Sequence, residues 1–75
     1  MIYFITGKRN SERGQWERCK AKTLLGAKRE CTRDYGAGYH DATLCVGAKD
    51  HPAGDIQTVA ERSNWSYNTV WIDVN

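Results

Sequence analysis

The side chains of this chain most capable of chemistry are three cysteines, Cys19, Cys31 and Cys45, two histidines, His40 and His51, and a scatter of acids. Nucleophilic catalysis needs an activated hydroxyl or thiol beside an oriented base, and no motif here places a Ser or Cys with a His. His40 is followed by Asp41, a tempting base and orienter, but adjacent strand residues point to opposite faces and do not readily pair. The cysteines form no CxxC pair, and none has the short paired spacing with His40 or His51 that structural zinc sites use. Their odd number and apolar settings read as reduced, buried thiols acting as small hydrophobes. Asp50 and Asp55 flank the Pro52 turn, but two acids are too few for a calcium loop and the spacing is wrong. Gly36-Ala37-Gly38 follows a predicted helix, whereas phosphate cradles use a helix N-terminus, so these glycines suit a C-terminal cap. No catalytic residue, metal ligand or cofactor is assigned, and the chain reads as a non-enzyme.

The basic residues are more informative. Residues 1 to 33 hold nine Lys or Arg against three acids, whereas residues 34 to 75 hold two against six, although the net charge is only +2. Arg18, Lys20 and Lys22 fall on one face of a predicted strand, and Lys28, Arg29 and Arg33 on the outer side of the helix that follows. If the two surfaces meet, they form one cationic patch for a polyanionic or acidic partner. Such a patch neutralises phosphates without reading bases, and Trp16, Trp65 and Tyr67 would add stacking to single-stranded nucleic acid. No helix-turn-helix and no RNP-like aromatic strand accompanies it. A second candidate surface is Trp65-Ser66-Tyr67-Asn68, where Trp and Tyr are typical interface anchors. The alternative reading has Trp65 covering the end of a thin core, and both readings stand.

These side chains must be positioned by few elements, because 75 residues hold one core and one domain. Ile2 to Thr6 is a β-branched and aromatic run ending at Gly7, a first strand. Lys8 to Gly14 has no periodicity and reads as a mobile hairpin connection. Gln15 to Lys22 alternates, with Glu17, Cys19 and Ala21 against Trp16, Arg18, Lys20 and Lys22, and is the second strand. Thr23 is a favoured N-cap before a helix from Leu24 to Tyr35, closed by Gly36 in the left-handed region. Leu24, Ala27, Cys31 and Tyr35 recur at three- and four-residue steps and line its buried stripe. Gly26, beside the cap, implies close packing against a strand.

Tyr39 to Gly47 is the third strand, with Ala42, Leu44 and Val46 opposite Asp41, Thr43 and Cys45. Lys49 to Asp55 is a loop dense in turn formers, and Ile56 to Arg62 and Thr69 to Val74 are two more strands. Trp71 lies on the face opposite Val70 and Ile72, covering the sheet's second side. The last three strands suit an antiparallel meander. The fold class is therefore α+β, an antiparallel sheet of about five strands with one helix on one face, in ββαβββ order. Hydrophobic residues make up 40% and charged residues 27%, enough for a folded but thin core. No run is long enough to span a bilayer, and the N-terminal charges follow the apolar stretch, the reverse of a secretory signal. A cytoplasmic chain is expected.

The first strand and hairpin, the segment Ala21-Lys22-Thr23-Leu24-Leu25-Gly26-Ala27-Lys28-Arg29, and a meander ending Trp71-Ile72-Asp73-Val74 together resemble small phage-encoded inhibitors. The nearest comparison is with compact anti-CRISPR proteins of type I systems, and the resemblance is one of layout across most of the chain. It implies a non-enzymatic inhibitor acting in the host cytoplasm as a monomer or weak homodimer. Its partner would be a host protein or nucleoprotein complex such as Cascade, whose DNA-binding track it would occlude. Similar small phage proteins block host RNA polymerase. On this resemblance Arg18, Lys20, Lys22, Lys28, Arg29 and Arg33 contact the partner or its nucleic acid. The alternative is a small nucleic-acid-binding protein using the same basic patch. Neither reading involves a membrane.

Overall fold

A computed structural model describes residues 1–9, 12–36, 42–63 and 70–74. Its elements are β1 (Ile2–Arg9), β2 (Glu12–Arg13), β3 (Glu17–Arg18), α1 (Leu24–Tyr35), β4 (Thr43–Lys49), β5 (Gln57–Ser63) and β6 (Trp71–Asp73). All strand pairings are antiparallel, in the order β2-β1-β4-β5-β6, with β3 joining the same edge of β1 as β2. The fold is thus α+β, with one helix on a six-stranded sheet and the last three strands in a meander.

The N-terminal hairpin departs from the pattern in the sequence. β1 continues through Lys8 and Arg9, which pair with Arg13 and Glu12, so the expected mobile connection is largely strand. The expected strand from Gln15 to Lys22 pairs only at Glu17 and Arg18, extended by the Cys19 N–H donating to the Tyr3 carbonyl at 3.0 Å. The physical reason lies at Trp16. Its indole stacks under Arg13, 4.7 Å from guanidinium to ring centre, and crosses to the sheet face away from the helix. A Cβ on Gly47 would stand 2.9 Å from Trp16 Cη2 and 2.6 Å from Ile56 Cγ2, so the glycine makes room for both side chains. A bulge accompanies this approach, since Val46 faces Ala60 while Gly47 faces Thr58, leaving Val59 as the extra residue on β5.

Thr23 is extended at φ −128° and ψ 157°, and its Oγ1 accepts the Gly26 N–H at 3.1 Å, the arrangement expected of an N-cap. Ala27 and Cys31 are fully buried, with Leu24 and Tyr35 packed at the margins of the same stripe. Gly36 is not left-handed. Its φ of −59° and ψ of −40° continue the helix, and its N–H donates to the Thr32 carbonyl at 2.9 Å. Glycine is needed there because an added Cβ would collide with the Thr32 carbonyl oxygen. Gly26 packs against Ala21 in the approach to the helix rather than against a strand, with 3.0 Å from its added Cβ to that of Ala21.

The core lies between α1 and the central strands, where Ile5, Cys19, Ala27, Cys31, Leu44, Val46 and Ala60 cluster. Many of these are small, which lets the helix sit close over β1 and β4. Cys45 points to the other face and is buried as well. Among the described residues no helix is long and apolar enough to cross a membrane.

Candidate functional site

The six cations expected to converge do not form one patch. Arg18 sits on β3 opposite Phe4, at the β1 edge, and with Lys20 and Lys22 it borders a depression beside Met1, Ile2 and Tyr3. Lys28, Arg29 and Arg33 border a different groove on the far flank of the helix, against β6. The helix separates the two triplets because Lys20 and Glu30 are tied together on its β3 side. There the Lys20 N–H donates to both Glu30 carboxylate oxygens at 3.1 Å.

Two of the helix cations already have acidic partners. Lys28 donates to Asp73 Oδ1 at 2.8 Å, with its side chain 18% exposed and that of Asp73 67%. Arg33 donates through Nε to Asp34 Oδ1 at 2.9 Å, and that bond raises the pKa of its guanidinium. Both pairs reach solvent, where an ion pair contributes at most about 1 kcal/mol, so an incoming carboxylate can compete for either cation. Arg29 is exposed. Trp65, Tyr67 and the rest of the aromatic turn lie outside the described residues, as do His40 and Asp41.

The groove between α1 and β6 is lined by Leu25, Lys28, Arg29, Thr32, Arg33 and Trp71, with a volume of about 330 Å³. Leu25 occupies the outer face of the helix and is 57% exposed. Trp71 is half-buried and lies on the helix side of the sheet, because it pairs with Arg62, which in turn pairs with the buried Leu44. It packs against the core margin rather than covering the sheet's second side as alternation alone had implied. The resulting surface has an apolar floor of Leu25, Trp71 and lysine and arginine stems, with cationic heads at the rim.

Arg62 reaches the groove only through Thr32, which lines its wall. Its Nη1 donates to Thr32 Oγ1 at 3.0 Å, whereas its buried Nε has no partner among the described residues. Among the described residues no carboxylate pairs with this guanidinium.

The thiols show no activation. Burial raises Cys31 to about 12, with help from Cys45, and raises Cys45 to about 11, with help from Glu61. Burial also raises Cys19. Among the described residues no group of three His, Cys, Asp or Glu side chains is placed to hold a metal ion.

Leu25, Thr32, Arg62 and Trp71 were not among the site residues drawn from the sequence. Leu25 carries a readable signal, being apolar yet off the buried stripe. Arg62 and Trp71 become neighbours only through the β5–β6 register. No family model, curated protein or solved structure matches the chain.

Proposed function

We propose that this chain is a non-enzymatic inhibitor that docks on a larger host nucleoprotein complex in the cytoplasm, acting stoichiometrically in the manner of the anti-CRISPR proteins its layout resembles. The observation that carries the reading is the α1–β6 groove, where exposed Leu25 and half-buried Trp71 lie open between Lys28, Arg29 and Arg33. Apolar anchors within a charged rim are the usual composition of a protein-docking surface. A standard interface takes about 800 Å² from each partner, roughly a sixth of the 5193 Å² surface, so steric blockade is within reach of so small a chain.

The geometry favours a protein contact over a bare phosphate track. Binding along a nucleic-acid backbone needs cations in register on one continuous surface, and here the strand and helix triplets occupy opposite flanks of α1. Arg18, Lys20 and Lys22 would then serve as an outlying contact, steering approach to an acidic or nucleic-acid-bearing partner.

The test is target-DNA binding by purified type I Cascade, followed by gel mobility while the chain is titrated in. Loss of the shifted species at about one chain per binding site is expected. Undiminished DNA binding at excess chain would dismiss the inhibitor. Tight, steeply salt-dependent binding of labelled DNA or RNA by the chain alone would replace it with the nucleic-acid-binding alternative.

A further inference from the structure

The nature of the groove narrows the chemistry of what it receives. Its cavity of about 330 Å³ lies at the small end of the range for ligand sites, and is matched to one large side chain rather than to a folded surface. The walls that an apolar group would touch are Leu25 and the Trp71 ring, and the polar groups around them are almost all donors. Lys28, Arg29 and Arg33 stand at the rim, and Thr32 in the wall is held by the Arg62 guanidinium.

The acids nearby do not balance this. Asp73 is engaged by Lys28 and Asp34 by Arg33, which leaves Arg29 and Arg62 without a carboxylate among the described residues. Charge complementarity therefore calls for an occupant that brings negative charge together with an apolar group, and brings both within a few ångströms of each other.

Resting on the docking reading above, we infer that the groove receives an acidic segment of the partner polypeptide, anchored by one large apolar side chain between Leu25 and Trp71. Carboxylates flanking that anchor bond Arg29 and share Arg33 and Lys28 with Asp34 and Asp73. A duplex phosphate backbone supplies the charge but no apolar anchor, whereas an unpaired base of a single strand would stack on the Trp71 ring, the outcome that the oligothymidylate tests. The anchor thus distinguishes an acidic polypeptide from a nucleic-acid duplex at this surface.

The probe is a short fluorescein-labelled glutamate-rich peptide with a central phenylalanine, followed by fluorescence anisotropy with the full chain. Three comparisons accompany it: the same peptide with alanine at the centre, a lysine-rich counterpart, and a labelled oligothymidylate of similar length. The phenylalanine peptide should bind saturably, the alanine version about tenfold more weakly, and the lysine version not at all. Trp71→Ala should weaken the phenylalanine peptide about tenfold. Leu25→Ala removes the anchor contact at an exposed position without adding charge and should also weaken the phenylalanine peptide, keeping the test decisive should Trp71→Ala perturb folding. Gln57→Glu, exposed on β5 away from the groove, should leave binding within about twofold of wild type.

Equal binding of the phenylalanine and alanine peptides would overturn the inference, as would tighter binding of the oligothymidylate or no peptide binding at all. The docking reading fails separately. A chain that leaves Cascade untouched yet binds the phenylalanine peptide retains the groove and loses the inhibitor. One that blocks Cascade without binding the peptide retains the inhibitor and loses the acidic segment.

Discussion

Replacing Gly47 by alanine tests how the face of the sheet away from the helix is closed. The new methyl would lie 2.6 Å from Ile56 Cγ2 and 2.9 and 3.1 Å from two atoms of the Trp16 ring. Neither neighbour yields easily, because Cγ2 is fixed at a β-branch and the indole is stacked with Arg13 at 4.7 Å. Overpacking of this kind costs about 1 to 3 kcal/mol. In a domain of this size each kcal/mol lowers the midpoint by about 4 to 8 °C, so a fall of roughly 5 to 20 °C is expected. Thermal unfolding followed by circular dichroism reads the shift. Ile56→Leu moves the branch away from the glycine, and combined with Gly47→Ala it should recover part of the loss, giving a favourable coupling in a double-mutant cycle. Unchanged or raised stability of Gly47→Ala would refute the placement of Trp16 and Ile56, and would return Trp16 to the pool of free aromatic contacts.

Thr23→Ala removes the acceptor of the Gly26 N–H and should cost about 1 kcal/mol, read by urea unfolding, with Thr23→Ser close to wild type. Cys31 and Cys45, held at about 12 and 11 by burial, ionise in the unfolded chain near 9 but not in the folded one. Their contribution to stability is complete below pH 9 and is lost as pH rises toward their folded values, so the urea midpoint should fall between pH 9 and 11 and fall less in a Cys31→Ala, Cys45→Ala variant. At pH 8 both thiols should resist a disulfide reagent until the chain is unfolded. Asp73→Asn should change stability by less than about 1 kcal/mol, since the pair reaches solvent, and by releasing Lys28 should tighten acidic-peptide binding about two- to fivefold in the anisotropy assay.

The helix was legible because its signals are local. Thr23 caps, and Leu24, Ala27, Cys31 and Tyr35 fall on one stripe whatever the rest of the chain does. β4 and β5 were legible within a few residues for the same reason, since alternation of Ala42, Leu44 and Val46 requires only a covered face. The hairpin was not, because Lys8, Arg9, Glu12 and Arg13 are held by backbone pairing at a sheet edge and show no side-chain periodicity. The basic residues were found individually, but their grouping depends on which flank of α1 each occupies. That is decided by contacts such as Glu30 with the Lys20 N–H, ten residues apart, and Lys28 with Asp73, forty-five apart. Alternation placed Trp71 opposite Ile72 correctly but could not say which face the helix covers.

The central claim is that docking runs through the α1–β6 groove, and the most direct measurement compares two charge-altered pairs in the Cascade DNA-binding assay. Leu25→Glu with Arg29→Glu alters the groove at exposed positions, and Arg18→Glu with Lys22→Glu alters the opposite flank to a similar degree. The groove pair should lose at least about tenfold in inhibitory potency while retaining wild-type circular dichroism, and the flank pair should lose less than about threefold. A groove pair as potent as wild type, or a flank pair that alone abolishes inhibition, would contradict the claim.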